Sequence, residues 1–137
     1  MLVPPYASIL NRKLVVPSTK TPYLAVDEHF LVELMMPQVE KIRVDEKWYL
    51  TVHPDVTAAI ASGVVSGAKA HYCRFGYYEH RMPHPVKVDE NWYINEYPDV
   101  KAAVVAKSFK SGQEHFERVG YREGRFPYPE FRLEMDA

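Results

Sequence analysis

Residues 44–85 read VDEKWYLTVHPDVTAAIASGVVSGAKAHYCRFGYYEHRMPHP, and residues 88–129 read VDENWYINEYPDVKAAVVAKSFKSGQEHFERVGYREGRFPYP. The second stretch lies on the first at an offset of 44 residues without a gap, and 18 of the 42 positions are identical. A duplication of this length constrains the architecture before any local reading, because each copy must be one structural unit. Asp45 (Asp89) is placed as the N-cap of a first helix, with Glu46 (Glu90) at the positive end of its dipole. That helix has to stop before Pro54 (Pro98), since proline disfavours helix in the residue ahead of it and suits the first position of the next. Val56, Ala59 and Ile60 (Val100, Ala103, Val104) form the apolar stripe of a second helix. Ser66 or Gly67 (Ser111) opens a third, with His71, Tyr72 and Phe75 (His115, Phe116, Val119) on one face. Gly76 (Gly120) is expected to end it in the left-handed region.

Working outward, residues 1–43 are not part of the duplication. Pro4, Pro5, Pro17, Pro22 and Pro37 punctuate the apolar runs 6–10, 13–16 and 23–26, which excludes a long helix and favours extended chain or short edge strands. Residues 26–36, VDEHFLVELMM, open like a helix with Asp27 as N-cap. The last eight residues, EFRLEMDA, are an acidic stretch expected to fray. The expected fold is therefore mainly α: two tandem three-helix units, 44–87 and 88–129, preceded by an extended arm with short β-strands (1–43) and followed by a tail (130–137).

The composition narrows the function classes. The 137 residues carry a net charge of −1, so bulk electrostatic capture of nucleic acid or anionic lipid is not expected. A single cysteine, Cys73, excludes an internal disulfide framework. The opening MLVPPYASIL has no basic n-region or long apolar run, and no stretch reaches membrane-spanning length, so the expectation is a cytoplasmic chain without membrane insertion.

Two copies also sort residues without an alignment. Trp48/Trp92, Tyr49/Tyr93, Pro54/Pro98, Asp55/Asp99, His71/His115, Arg74/Arg118, Gly76/Gly120, Glu79/Glu123 and Arg81/Arg125 are identical, and the shared fold is the simplest reason. Asp45 and Glu46 are adjacent on a helix and do not face each other as an acid–base pair would. His71 and Cys73 diverge by about 200° around a helix, too far for a base and its nucleophile. His80 and His84 are four apart, but Pro83 breaks the helix that would bring them together on a metal. No catalytic residue, cofactor or metal site is expected.

What remains is binding. The chain has ten Tyr, six Phe and two Trp. These fill a small helical core, or they present repeated platforms for sugar rings. Trp48 and Trp92 read as core, whereas Tyr77, Tyr78 and Tyr121 beside the glycines are candidates for exposed surface. The disagreements between copies run one way: Val52, Ala70 and Cys73 become Glu96, Glu114 and Glu117. Because glutamates are almost never fully buried unpaired, the face is wet in the second copy and is expected to be a covered contact surface in the first.

The pattern Trp-Tyr-Leu-x-x-x-Pro-Asp-Val-x-Ala-Ala, then His-Tyr-x-x-x-Gly-x-x-Glu-x-Arg-x-Pro, resembles a short helical repeat found in tandem in proteobacterial glycosyltransferase-associated and surface or secreted proteins. The resemblance covers residues 44–129, with His80 standing where the pattern has Gly. It implies a non-catalytic accessory module linked to envelope or polysaccharide biology, and it brings no active-site residues with it. The expected function is a non-enzymatic binding or assembly module acting through protein–protein contacts. Its partner is another protein or a second copy, met through residues 1–43. The alternative is a carbohydrate-binding module using the repeated aromatics.

Overall fold

A computed structural model describes residues 6–17 and 19–136. Among the described residues the fold is mainly α, with one two-stranded antiparallel sheet near its start. The chain divides into two compact units, Met1–Lys41 and Ile42–Ala137.

In the first unit, α1 (Tyr6–Asn11) precedes the hairpin of β1 (Val15–Pro17) and β2 (Leu24–Val26), paired in the register Val15↔Val26, Val16↔Ala25 and Pro17↔Leu24. The helix at 6–11 corrects the expectation of extended chain there. Its residues include Ala7 and Leu10, strong helix formers, and only Ile9 is β-branched. Pro4 and Pro5 lie outside the described residues. The expected helix is α2 (Glu28–Val39), capped as anticipated by Asp27, whose carboxylate accepts the Phe30 N–H at 2.9 Å. It continues through Pro37, which removes a hydrogen bond only in the final turn.

The second unit holds both copies, and their elements match residue for residue at the offset of 44. The first copy has α3 (Glu46–Val52), α4 (Pro54–Ala61) and α5 (Ala68–His71), the last running straight into a π-turn, Tyr72–Gly76. The second has α6 (Glu90–Glu96), α7 (Pro98–Val105), α8 (Gly112–His115) and the π-turn Phe116–Gly120. Asp45 and Asp89 accept the Trp48 and Trp92 amides, and a proline opens α4 and α7. The duplicated glutamate has a role that spacing within its own helix does not show. Glu46 accepts the Lys69 N–H and Glu90 the Gly112 and Gln113 N–H groups, so each satisfies the open N-terminus of the third helix in its copy.

Each copy is packed around one tyrosine. Tyr49 and Tyr93 are fully buried, set edge-on against Tyr72 and Phe116 with centroids 5.9 and 6.0 Å apart, over the fully buried Val56 and Val100. Their hydroxyls meet Nδ1 of the buried His71 and His115 at 3.0 Å in both copies. With the ring proton on Nε2, each hydroxyl donates to the imidazole. Gly76 and Gly120 complete the arrangement, because a Cβ at either would lie inside van der Waals contact with the same hydroxyl. This corrects the expected helix stop. The glycine is needed for close approach, its backbone stays out of the left-handed region, and the helix goes on past it through i→i+5 bonds such as Tyr77 N–H to Tyr72 O. The left-handed residues come four positions later, His80 (φ 60°) and Gly124 (φ 74°), with a second matched set at Gly63 (φ 79°) and Lys107 (φ 61°).

Both copies close on themselves: the Asp45 N–H bonds Pro83 O and the Asp89 N–H bonds Pro127 O, each at 3.0 Å. The stretch after the second copy is not frayed. Phe131 is buried with Val86, Val88 and Tyr93, the Arg43 N–H bonds Glu134 O, and Ile42 bridges Met135. An apolar anchor and a backbone pairing outweigh the acidic composition that suggested disorder; Ala137 lies outside the described residues.

Candidate functional site: the cleft between the copies

The second unit contains a cleft of about 750 Å³ whose walls come from different copies. On α3, Tyr49 is buried in the core while Trp48 and Val52, neighbours at i and i+4, line the cleft. His53 and Asp55 follow at the α3–α4 break, and the closing turn adds Glu79, His80, Arg81 and Met82. The facing wall is the π-turn of the second copy and the residues after it, Glu117, Arg118, Tyr121 and Arg122.

One wall carries an ionic frame whose counterpart recurs in the second copy outside the cleft. Arg81 donates to both oxygens of Asp55 at 2.9 and 2.7 Å and to Glu79 at 2.7 Å; Arg125 repeats this with Asp99 at 2.8 and 2.6 Å and Glu123 at 2.7 Å. Hydrogen bonds from the guanidinium keep the Asp55 carboxyl below its ordinary range and bring Asp99 to about 2. Their bidentate geometry ties each closing turn to the start of the second helix. Across the cleft, Glu117 accepts from Gln113 Nε2 at 2.8 Å, and Arg118 sits over the Phe109 ring at 5.2 Å, near Glu114. Arg122 is exposed.

At the seam between copies the phenols gather. Tyr121 stacks edge-on against Phe116 of its own copy, and its hydroxyl lies beside that of Tyr72 from the other. The Tyr72 hydroxyl is buried without a well-directed hydrogen bond, and burial, then its neighbours Tyr121 and Tyr77, push its ionisation far up. Tyr121 is raised to about 12 by burial. Burial, followed by the positive charge of Arg81, holds His53 and His71 below the ordinary imidazole range. Arg125 plays the same secondary part at His115.

Of the residues singled out by sequence, the cleft brings together Val52 and Tyr121. Ala70, Cys73, Tyr77 and Tyr78 are half-buried and lie outside its lining, so Val52 shares no cleft with Ala70 and Cys73. Val52 instead lines the cleft together with Glu117, the counterpart of Cys73 in the other copy. Trp48, His53, His80, Met82, Arg118 and Arg122 were missed. Comparing copies position by position treats them as equals, whereas the site arises where one faces the other. Trp48 and Trp92 are both half-buried; Trp48 lines the cleft, whereas Trp92 packs on the core of the second copy outside it.

The Tyr–His pairs look like acid–base machinery, but they are sealed inside the copies, with Tyr49 and Tyr93 wholly inaccessible. Among the described residues no three His, Cys, Asp or Glu side chains are grouped to hold a metal ion, and no helix is long and apolar enough to cross a membrane. The chain matches no family model, no curated protein and no solved structure.

Proposed function

We propose that the protein is a non-enzymatic binding and assembly module, acting through protein–protein contacts made by its first unit. The observation that carries this reading is the hairpin of β1 and β2. All three residues of β2 are exposed, Leu24 at 54%, and beside them Tyr23 is 75% accessible. A two-stranded hairpin is marginal alone in water, and its outer edges offer unpaired backbone groups to a further strand. Apolar side chains left open on such an element fit a surface that a second copy of the chain covers. The duplicated unit supports a non-catalytic role in another way. Six of its shared polar residues, Asp45, Glu46, His71, Asp55, Glu79 and Arg81, are used in caps, the Tyr–His bond and the ionic frame. The resemblance of residues 44–129 to accessory repeats supports a link to envelope or polysaccharide biology.

Sedimentation velocity tests the proposal on the full chain. The unaltered protein is expected to sediment as a dimer or larger species, and Tyr23→Ser with Leu24→Lys as a monomer of unchanged helicity. A monomeric parent, or a variant that keeps its parent's assembly state, refutes it.

A further inference from the structure

We propose that the cleft between the copies binds a neutral oligosaccharide, with Trp48 and Tyr121 as its stacking surfaces. The volume, about 750 Å³, suits a small ligand. The charges decide its class. The lining holds Arg81, Arg118 and Arg122 together with Asp55, Glu79 and Glu117, three cations and three anions. An anionic or cationic ligand meets as many like charges as opposite ones, and a wholly apolar ligand would strip water from charged groups and offer nothing in return. A sugar satisfies both parts of the lining. Its hydroxyls accept from guanidinium groups, which only donate, and donate to carboxylates, which only accept. Its flat C–H face lies on an indole or phenol ring, beside Val52 and Met82. The frame is set in advance, since Arg81 is fixed by three hydrogen bonds while Asp55 stays 59% exposed, open to a ligand hydroxyl.

The duplication supplies an internal control. In the second copy Glu96 stands in place of Val52, and Trp92 lies outside the cleft lining. This cleft is therefore read by Trp48 and not by Trp92.

Titration of the full chain with cellotriose, maltotriose and chitotriose, followed by tryptophan fluorescence and calorimetry, tests this. A saturable response of single-site stoichiometry to at least one of them is expected in the millimolar range or below. Trp92→Phe should keep the fluorescence change. Trp48→Phe should lose it, with affinity about tenfold weaker by calorimetry. Val52→Glu should weaken binding as much while leaving the circular dichroism and unfolding midpoint of the parent. Four results each overturn the proposal: no saturable response to any of the three sugars, tighter binding of hyaluronan tetrasaccharide, binding of casein-derived peptides without the sugars, or a signal that follows Trp92.

Discussion

Replacing Gly76 by Ala tests the centre of the first copy with one methyl group. The new Cβ would collide with the Tyr49 hydroxyl and stand 3.1 Å from Tyr72 Cδ2. Both rings are fully buried, so neither can swing into solvent. Forcing a methyl into such a site costs about 1–3 kcal/mol. Displacing the hydroxyl from His71 strands a buried polar group, at a further cost of about 1–3 kcal/mol. Alanine's preference for helix over glycine returns about 1 kcal/mol. The net loss is about 3 kcal/mol, a fall in melting temperature of roughly 10–20 °C for a unit of this size. Urea and thermal unfolding followed by circular dichroism give the measurement, and Tyr49→Phe gives the control. Removing the hydroxyl makes room for the methyl, so the second change should be less damaging in the Gly76→Ala background than alone, with a coupling of about 1–3 kcal/mol. A Gly76→Ala protein within about 0.5 kcal/mol of the parent would refute the reasoning. So would Tyr49→Phe effects of equal size in the two backgrounds.

Lys107 holds a left-handed conformation that its counterpart Gly63 adopts without strain. Lys107→Gly should therefore stabilise by about 0.5–1 kcal/mol and Gly63→Ala destabilise by about 1–2 kcal/mol, although a Cβ at Gly63 would touch nothing. Urea midpoints unaffected by either change would contradict this. The histidines set the acid limit. His53, His71 and His115 are held below 6.5 by burial, so the unfolded chain takes up protons first as pH falls. Their contribution is complete above about pH 6.5 and declines below it. Asp55 and Asp99, lowered from 3.8, contribute above that value and lose their share as pH falls toward 2. Urea midpoints should fall from about pH 7 to about pH 5, less steeply in His115→Gln, and a midpoint that rises over that interval would count against the buried imidazoles.

The helical frame of the duplicated region was legible because its signals are local. An aspartate cap, a proline at a first helical position and an apolar stripe act within a turn or two, and all appear twice. The Tyr–His–Gly arrangement was visible as shared residues but not as a contact, since Tyr49, His71 and Gly76 come from opposite ends of a copy. Gly76 was misread for a related reason. Glycine is used for positive φ or for close approach, and only the neighbour in space decides which. The left-handed position is held by His80 in one copy and Gly124 in the other, so composition alone could not mark it. The cleft was hidden more deeply, because it depends on how unlike faces of two like units meet. Even so, the changes at Val52/Glu96 and Cys73/Glu117 each touched one of its walls.

The bonds from Asp45 to Pro83 and from Asp89 to Pro127 mean that the backbone leaves each copy where it came in. A module of that kind is a natural unit of growth. When the coding segment is doubled, the new copy receives the chain at the place where the old one releases it, and no internal contact has to be rebuilt. The connector already serves both sides, since Pro83 clasps the copy behind it while Val86 and Val88 fill the core of the copy ahead. What each doubling creates afresh is a seam, and there the copies have already diverged, Val52 standing where the second copy has Glu96.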